Sequence, residues 1–120
     1  MPRTNAQDRG NRGEDTAVAY LENLGYRILH RNFTFGKLEL DIVARDGKEL
    51  VFVEVKTRSS SRYLAPEDAL TPSKQALLRR AADAYFQICV RELTPCRFDV
   101  IAIVDDGVEM EIRHIKNAFT

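Results

Sequence analysis

The chain has 120 residues, 18 Lys and Arg against 18 Asp and Glu, and a hydrophobic share of 44%. Those values describe one ordinary folded domain and exclude a disordered or fibrous chain. No apolar run approaches the ~20 residues of a membrane span, and a net charge of zero excludes bulk electrostatic attraction to nucleic acid.

Residues 1–12 carry almost nothing apolar and are expected to form a flexible tail ahead of one domain over 13–120. The polar start has no apolar core of a secretory signal, so the expected location is the cytoplasm and no membrane partner is expected. Ala17, Val18, Leu21 and Leu24 recur at helical spacing from Gly13, with Gly25 as the stop. Tyr26 to Phe35 reads as a strand, followed by strands over Leu38–Arg45 and Glu49–Thr57 around the turn Asp46-Gly47. Residues 57–66 form a polar loop ending at Pro66. Thr71-Pro72 caps a helix to about Val90, with Leu77, Ala81, Ala84, Tyr85 and Ile88 inward. Arg97–Val104 and Val108–Ile115 complete the order α-β-β-β-α-β-β, an α/β sheet with helices packed against it. Cys89 and Cys96 lack neighbours at ligand spacing and read as reduced thiols, and His30 and His114 read as structural.

The chemistry concentrates between Leu38 and Lys56. Strand alternation puts Val51, Val53 and Val55 on one face and Phe52, Glu54 and Lys56 on the other. A two-residue turn at Asp46-Gly47 places Asp41 opposite Phe52 and diagonal to Glu54, with Glu39 opposite Glu54. Two carboxylates that close repel unless a cation sits between them. Lys56 or a divalent ion is the available compensator, and Mg²⁺ favours such oxygen ligands beside substrate phosphates. A merely solvated strand face is the alternative. Glu14 heads the inward stripe of the first helix, or simply suits its first turn. Lys74 opposes the dipole of the second helix unless an anion docks there. Arg58 and Arg62 flank the serine loop as a backbone clamp, and Asp99 at a buried strand start reads as structural. Residues 39–55 carry a net −3 and residues 56–80 a net +4, so zero net charge hides an acidic pocket beside a basic strip.

Asp41, twelve residues, then Glu54-Val55-Lys56 resembles the PD-(D/E)xK nuclease signature. The segments Gly13-Glu14, Gly25-Tyr26, Arg31-Asn32-Phe33, Glu39 to Gly47, Phe52 to Arg58, Lys74 and Arg97-Phe98-Asp99-Val100 resemble the YraN-like family of small bacterial proteins, related to Holliday-junction resolvases. Two places depart from that pattern: Leu38 stands where Gly is usual, and Tyr63-Leu64 where Phe-Gly is frequent. The resemblance implies a restriction-endonuclease-like αβββαβ core, with a mixed central sheet flanked by helices. It also implies a Mg²⁺- or Mn²⁺-dependent DNA endonuclease, selective for structures such as junctions. Asp41 and Glu54 would be the metal carboxylates, Lys56 the group orienting water or phosphate, and Glu14 a helix-borne acidic partner. Arg58, Arg62 and Lys74 would hold the DNA backbone, and a homodimer would match the resolvases. The competing expectation is a catalytically silent nucleic-acid-binding module on the same fold.

Overall fold

The computed structural model describes residues 5–59 and 70–120, and the side chains of 12–59 and 70–120. Chain order gives α1 (Asn5–Asn23), β1 (Arg27–Phe35), β2 (Leu38–Asp46), β3 (Glu49–Arg58), α2 (Pro72–Cys89), β4 (Cys96–Asp105) and β5 (Met110–Phe119). The strands form one sheet in the order β1-β2-β3-β4-β5. All neighbours are antiparallel except β3 and β4, which run parallel because α2 crosses over between them. The result is a mixed α/β sheet compatible with a restriction-endonuclease-like core.

Alternation along β3 divides the core. Val51 and Val53 pack with Ile42, Ala44, Ile101 and Ile103 against Ala17 and Leu21 of α1. Leu50 and Phe52 pack with Val43, Phe98 and Val100 against Leu78, Ala81, Ala82 and Tyr85 of α2. One helix covers each face, so β3 and β4 are buried on both sides and read in sequence as nearly continuous apolar runs.

Several boundaries differ from the sequence expectation. Helix α1 begins at Asn5 rather than Gly13, so helical backbone runs into the stretch expected as a tail. Its end is as expected: the Tyr26 N–H reaches the Leu21 carbonyl at 3.0 Å, the Gly25 N–H reaches Glu22 at 2.9 Å, and Gly25 takes a φ of 92°. In α2 the buried stripe is Leu78, Ala81, Ala82, Ala84 and Tyr85, while Leu77 and Ile88 are about half exposed. The expected cap is present, with Thr71 Oγ1 accepting from the Lys74 N–H at 3.2 Å and Pro72 in the first turn. Strand β5 runs on to Phe119, four residues past the expected end.

Gly13 sits inside a helix, where glycine ordinarily costs about 1 kcal/mol against alanine. A Cβ there would lie 2.2 Å from Thr57 Oγ1 of β3. The bare backbone is what lets α1 approach the sheet at this end. Gly13→Ala is therefore expected to lower stability by about 1–3 kcal/mol instead of raising it. Adding Thr57→Ala should recover most of that loss in a thermal-melt double-mutant cycle, and additive effects would show that the contact does not limit the approach.

Candidate nuclease site

The β2–β3 turn is Gly47-Lys48, not Asp46-Gly47: Asp46 pairs with Glu49, and Gly47 takes the left-handed φ of 62°. Each expected partner of a β2 residue therefore shifts by two. Parity survives, but Asp41 no longer faces Phe52. The ladder ends at Ile42↔Val53, and its register carried one residue further sets Asp41 beside Glu54, whose charge acts on it. Glu39 does not oppose Glu54; it pairs with Thr34 of β1 and is exposed.

A second irregularity brings α1 into the site. Asn32 has a φ of 53°, and it lies across from Asp41 between the pairs Arg31↔Ile42 and Phe33↔Leu40. On both strands the alternation slips there. His30 and Phe33, three apart, both meet the Tyr85 ring, and Leu40 and Val43 share the α2-side core. Asp41 thus stands at a kink where groups from both faces of the sheet reach it.

Its carboxylate accepts a hydrogen bond from the Val55 N–H at 2.9 Å. Burial and the Glu54 charge nevertheless raise its pKa to about 7, with Glu14 and Glu39 adding to the shift and the Val55 bond opposing it. Glu54 is buried, at 5% exposure, and its Oε1 meets two ammonium groups: Lys74 Nζ at 3.3 Å and Lys56 Nζ at 3.6 Å. The anion expected at Lys74 is therefore, in the free protein, a side chain of its own chain. Glu14 is half-buried, and its Oε1 is shielded from water without a hydrogen-bond partner among the described residues. Burial raises its pKa despite Asn32 and Arg31, whose Nη2 lies 3.9 Å away. Arg31 has its shorter contact, 2.7 Å, with Asp15.

The expected residues are thus partly assembled. Asp41, Glu54, Lys56 and Lys74 converge, and Glu14 approaches from α1. Arg58 is exposed at the end of β3, donating to its neighbour's carbonyl, Thr57 O, at 3.0 Å. Arg62, Tyr63 and Leu64 lie outside the described residues. Among the described residues no group of three or more His, Cys, Asp or Glu is arranged to hold a metal ion, and no helix is long and apolar enough to cross a membrane. Sequence reasoning missed Arg31 and Asn32 as site neighbours. An Asn inside an apolar strand is the available signal, because Asn tolerates the left-handed conformation.

The remaining polar clusters hold the fold. Asp99 is fully buried and joins Arg97 Nε at 3.0 Å, His114 Nε2 at 2.7 Å and the Asn117 N–H at 3.0 Å. Arg97 extends to Asp46 and Glu49 at the hairpin end, and His114 to Tyr20 of α1. His30 pairs with Tyr85 Oη at 2.8 Å, so both histidines have structural partners. Both cysteines are exposed free thiols.

The same chain matches the description "Uncharacterised protein family UPF0102" over residues 13–103. The chain belongs to the UPF0102 family. The UPF0102 protein of Geobacter sulfurreducens is 52% identical, the alignment covering 92% of this chain and 87% of that one. That of Bacteroides thetaiotaomicron is 48% identical over 92% of this chain and 90% of its own. The one from Chlorobium phaeobacteroides is 46% identical over 93% and 94%. Every residue that forms the UPF0102 site here, from Glu14 to Lys74, falls within the matched span.

Proposed function

We propose that this UPF0102 protein is a divalent-metal-dependent nuclease that hydrolyses phosphodiester bonds in DNA in the cytoplasm. The observation that carries the reading is a buried carboxylate, Glu54, with two lysines on one of its oxygens and the half-buried Asp41 close enough to feel its charge. A fold gains nothing from drawing a second carboxylate up to a buried one. A hydrolytic site does, because hard oxygen donors suit Mg²⁺ or Mn²⁺. The donor set fits such an ion. Burial and the Glu54 charge both raise the Asp41 pKa, so a cation at the pair would be stabilised there. Asp41 and Glu54 would hold the ion, which supplies charge neutralisation and an acidified water.

The chain's own residues carry the rest. Lys56, 29% exposed at the side chain, presents its ammonium group at the site mouth, where it can orient a water or a scissile phosphate. Lys74 adds a second cation from α2. Glu14, with one oxygen unbonded among the described residues, can accept a hydrogen bond from a water on the α1 side. Arg58 and Arg62 would grip the flanking backbone, so binding should weaken steeply with salt. Selectivity for branched DNA and a homodimer that places two sites on one junction belong to the same reading.

The test incubates wild type and Asp41→Asn with branched, nicked and linear DNA in Mg²⁺, Mn²⁺ or EDTA. Cleavage by wild type alone, and only with metal, is expected. A second reading, a catalytically silent DNA-binding module, is favoured by one observation: two carboxylates, not three or more, converge among the described residues. DNA binding without cleavage of any substrate by wild type would put that reading first.

A further inference from the structure

Lys74 is the group whose placement the hydrolytic reading leaves unexplained. It stands in the first turn of α2, where the helix dipole disfavours a cation, and that turn contains no acidic residue to offset it. What offsets it is Glu54, from β3, whose Oε1 lies 3.3 Å from Lys74 Nζ. Glu54 also lies one residue past the last β2–β3 rung, Ile42↔Val53, where the register brings Asp41 beside it. The same buried charge therefore has two claimants, a lysine and a divalent ion.

Resting on the nuclease reading above, we propose that Lys74 couples metal binding to phosphate binding by competing for Glu54. In the free protein Lys74 neutralises Glu54 and so weakens the attraction of the carboxylate pair for a cation. When a divalent ion takes up that charge, Lys74 and the first turn of α2 lose their anion. A phosphate of the substrate backbone is the anion that replaces it, and its arrival relieves the repulsion between Lys74 and the ion. Each ligand then raises the affinity for the other by the same factor, as linkage requires. Lys56 does not serve this purpose alone: it sits two residues from Glu54 on the same strand, whereas Lys74 belongs to a helix that carries its own positive end.

The prediction is that removing the Lys74 charge tightens the metal while weakening the response to DNA. Isothermal titration with Mn²⁺ and no DNA should give Lys74→Met an affinity about tenfold above wild type, from loss of one positive charge near the site. Lys74→Arg and, at the distant hairpin tip, Lys48→Met should match wild type. For a short duplex with cleavage-resistant phosphorothioate linkages, Mn²⁺ should strengthen binding to wild type and have much less effect on Lys74→Met. Thermal melts confirm that each variant is folded. Mn²⁺ affinity in Lys74→Met equal to or weaker than wild type overturns the coupling while leaving the nuclease reading intact. A wild type that gives no Mn²⁺ isotherm overturns both.

Discussion

Replacing Asp41 by Asn is expected to abolish metal-dependent cleavage and, without metal, to make the protein more stable at pH 8. The carboxyl group has a native pKa of about 7 against an ordinary value of 3.8. Between those two values the folded protein holds a proton that the unfolded chain has released. Stability therefore falls as pH rises from about 4 to about 7, and the loss is complete above the native value. Asn cannot ionise, and its amide oxygen can still accept the Val55 N–H bond that Asp41 accepts at 2.9 Å. At pH 8 the variant should gain up to about 4 kcal/mol, the value of a pKa raised from 3.8 to about 7, or up to about 16 °C in melting temperature. At pH 4 the two proteins should melt together. Mg²⁺ should raise the wild-type melting temperature at pH 8 and leave Asp41→Asn unmoved. Cleavage should drop at least about 1,000-fold, the scale of losing a group that stabilises transition-state charge. A variant less stable than wild type at pH 8 would make Asp41 a structural residue and remove the main support for the nuclease reading.

The largest loss of stability is expected on β4, at Asp99, which pairs with Val53 of β3. Asp99→Ala removes the fully buried acceptor shared by Arg97, His114 and the Asn117 N–H. Breaking one side of a buried ion pair typically costs about 3–5 kcal/mol, because the groups left behind lose a partner where little water reaches. That corresponds to a fall of about 12–20 °C in melting temperature. Hydrogen exchange should speed up first at Asn117, where β5 is tied to β4. Burial alone would raise the Asp99 pKa, but its bonds to His114, Arg97 and the Asn117 N–H hold it below the ordinary range. The sign is thus opposite to that of Asp41: Asp99 contributes stability above the ordinary carboxylate range, lost only as pH falls through its lowered pKa. If Asp99→Ala melts within 2–3 °C of wild type, which is less than about 1 kcal/mol, the network is not what holds β5.

The elements were legible because their signals are local. The Thr71 cap and the Gly25 stop each act within a few residues, and each is where the sequence reading placed it. The register of the central hairpin was not. Both Asp46-Gly47 and Gly47-Lys48 are acceptable two-residue turns. The choice is settled by Arg97, which bonds Asp46 at 3.0 Å from 51 residues away and keeps it in the strand. The α2 stripe failed for a related reason. Ala76-Leu77-Leu78 is apolar at three successive positions, so either leucine could lead the inner face. Contact with the sheet selects Leu78. Within the site, the pairing of carboxylate and lysine at Glu54 and Lys56 could be read from spacing alone, because a strand repeats every two residues. The partnership of Glu54 with Lys74 could not, since only the fold brings α2 over β3.

The strands of this sheet lie in the order in which the chain makes them. Hairpins join β1, β2 and β3 through short turns, which close quickly and at small entropic cost. The parallel β3–β4 pair must instead wait for the whole α2 segment, so the docking of β4 is the expected slow step of folding. A chain emerging during synthesis therefore assembles the opposed Asp41 and Glu54 first and receives the Asp99 hub last. A fragment that stops before Cys96 would carry the repulsion of the site without the buried network that outweighs it. Such a fragment is a poor prospect as an independent unit, and the two halves of the sheet are bound to each other as firmly by timing as by contact.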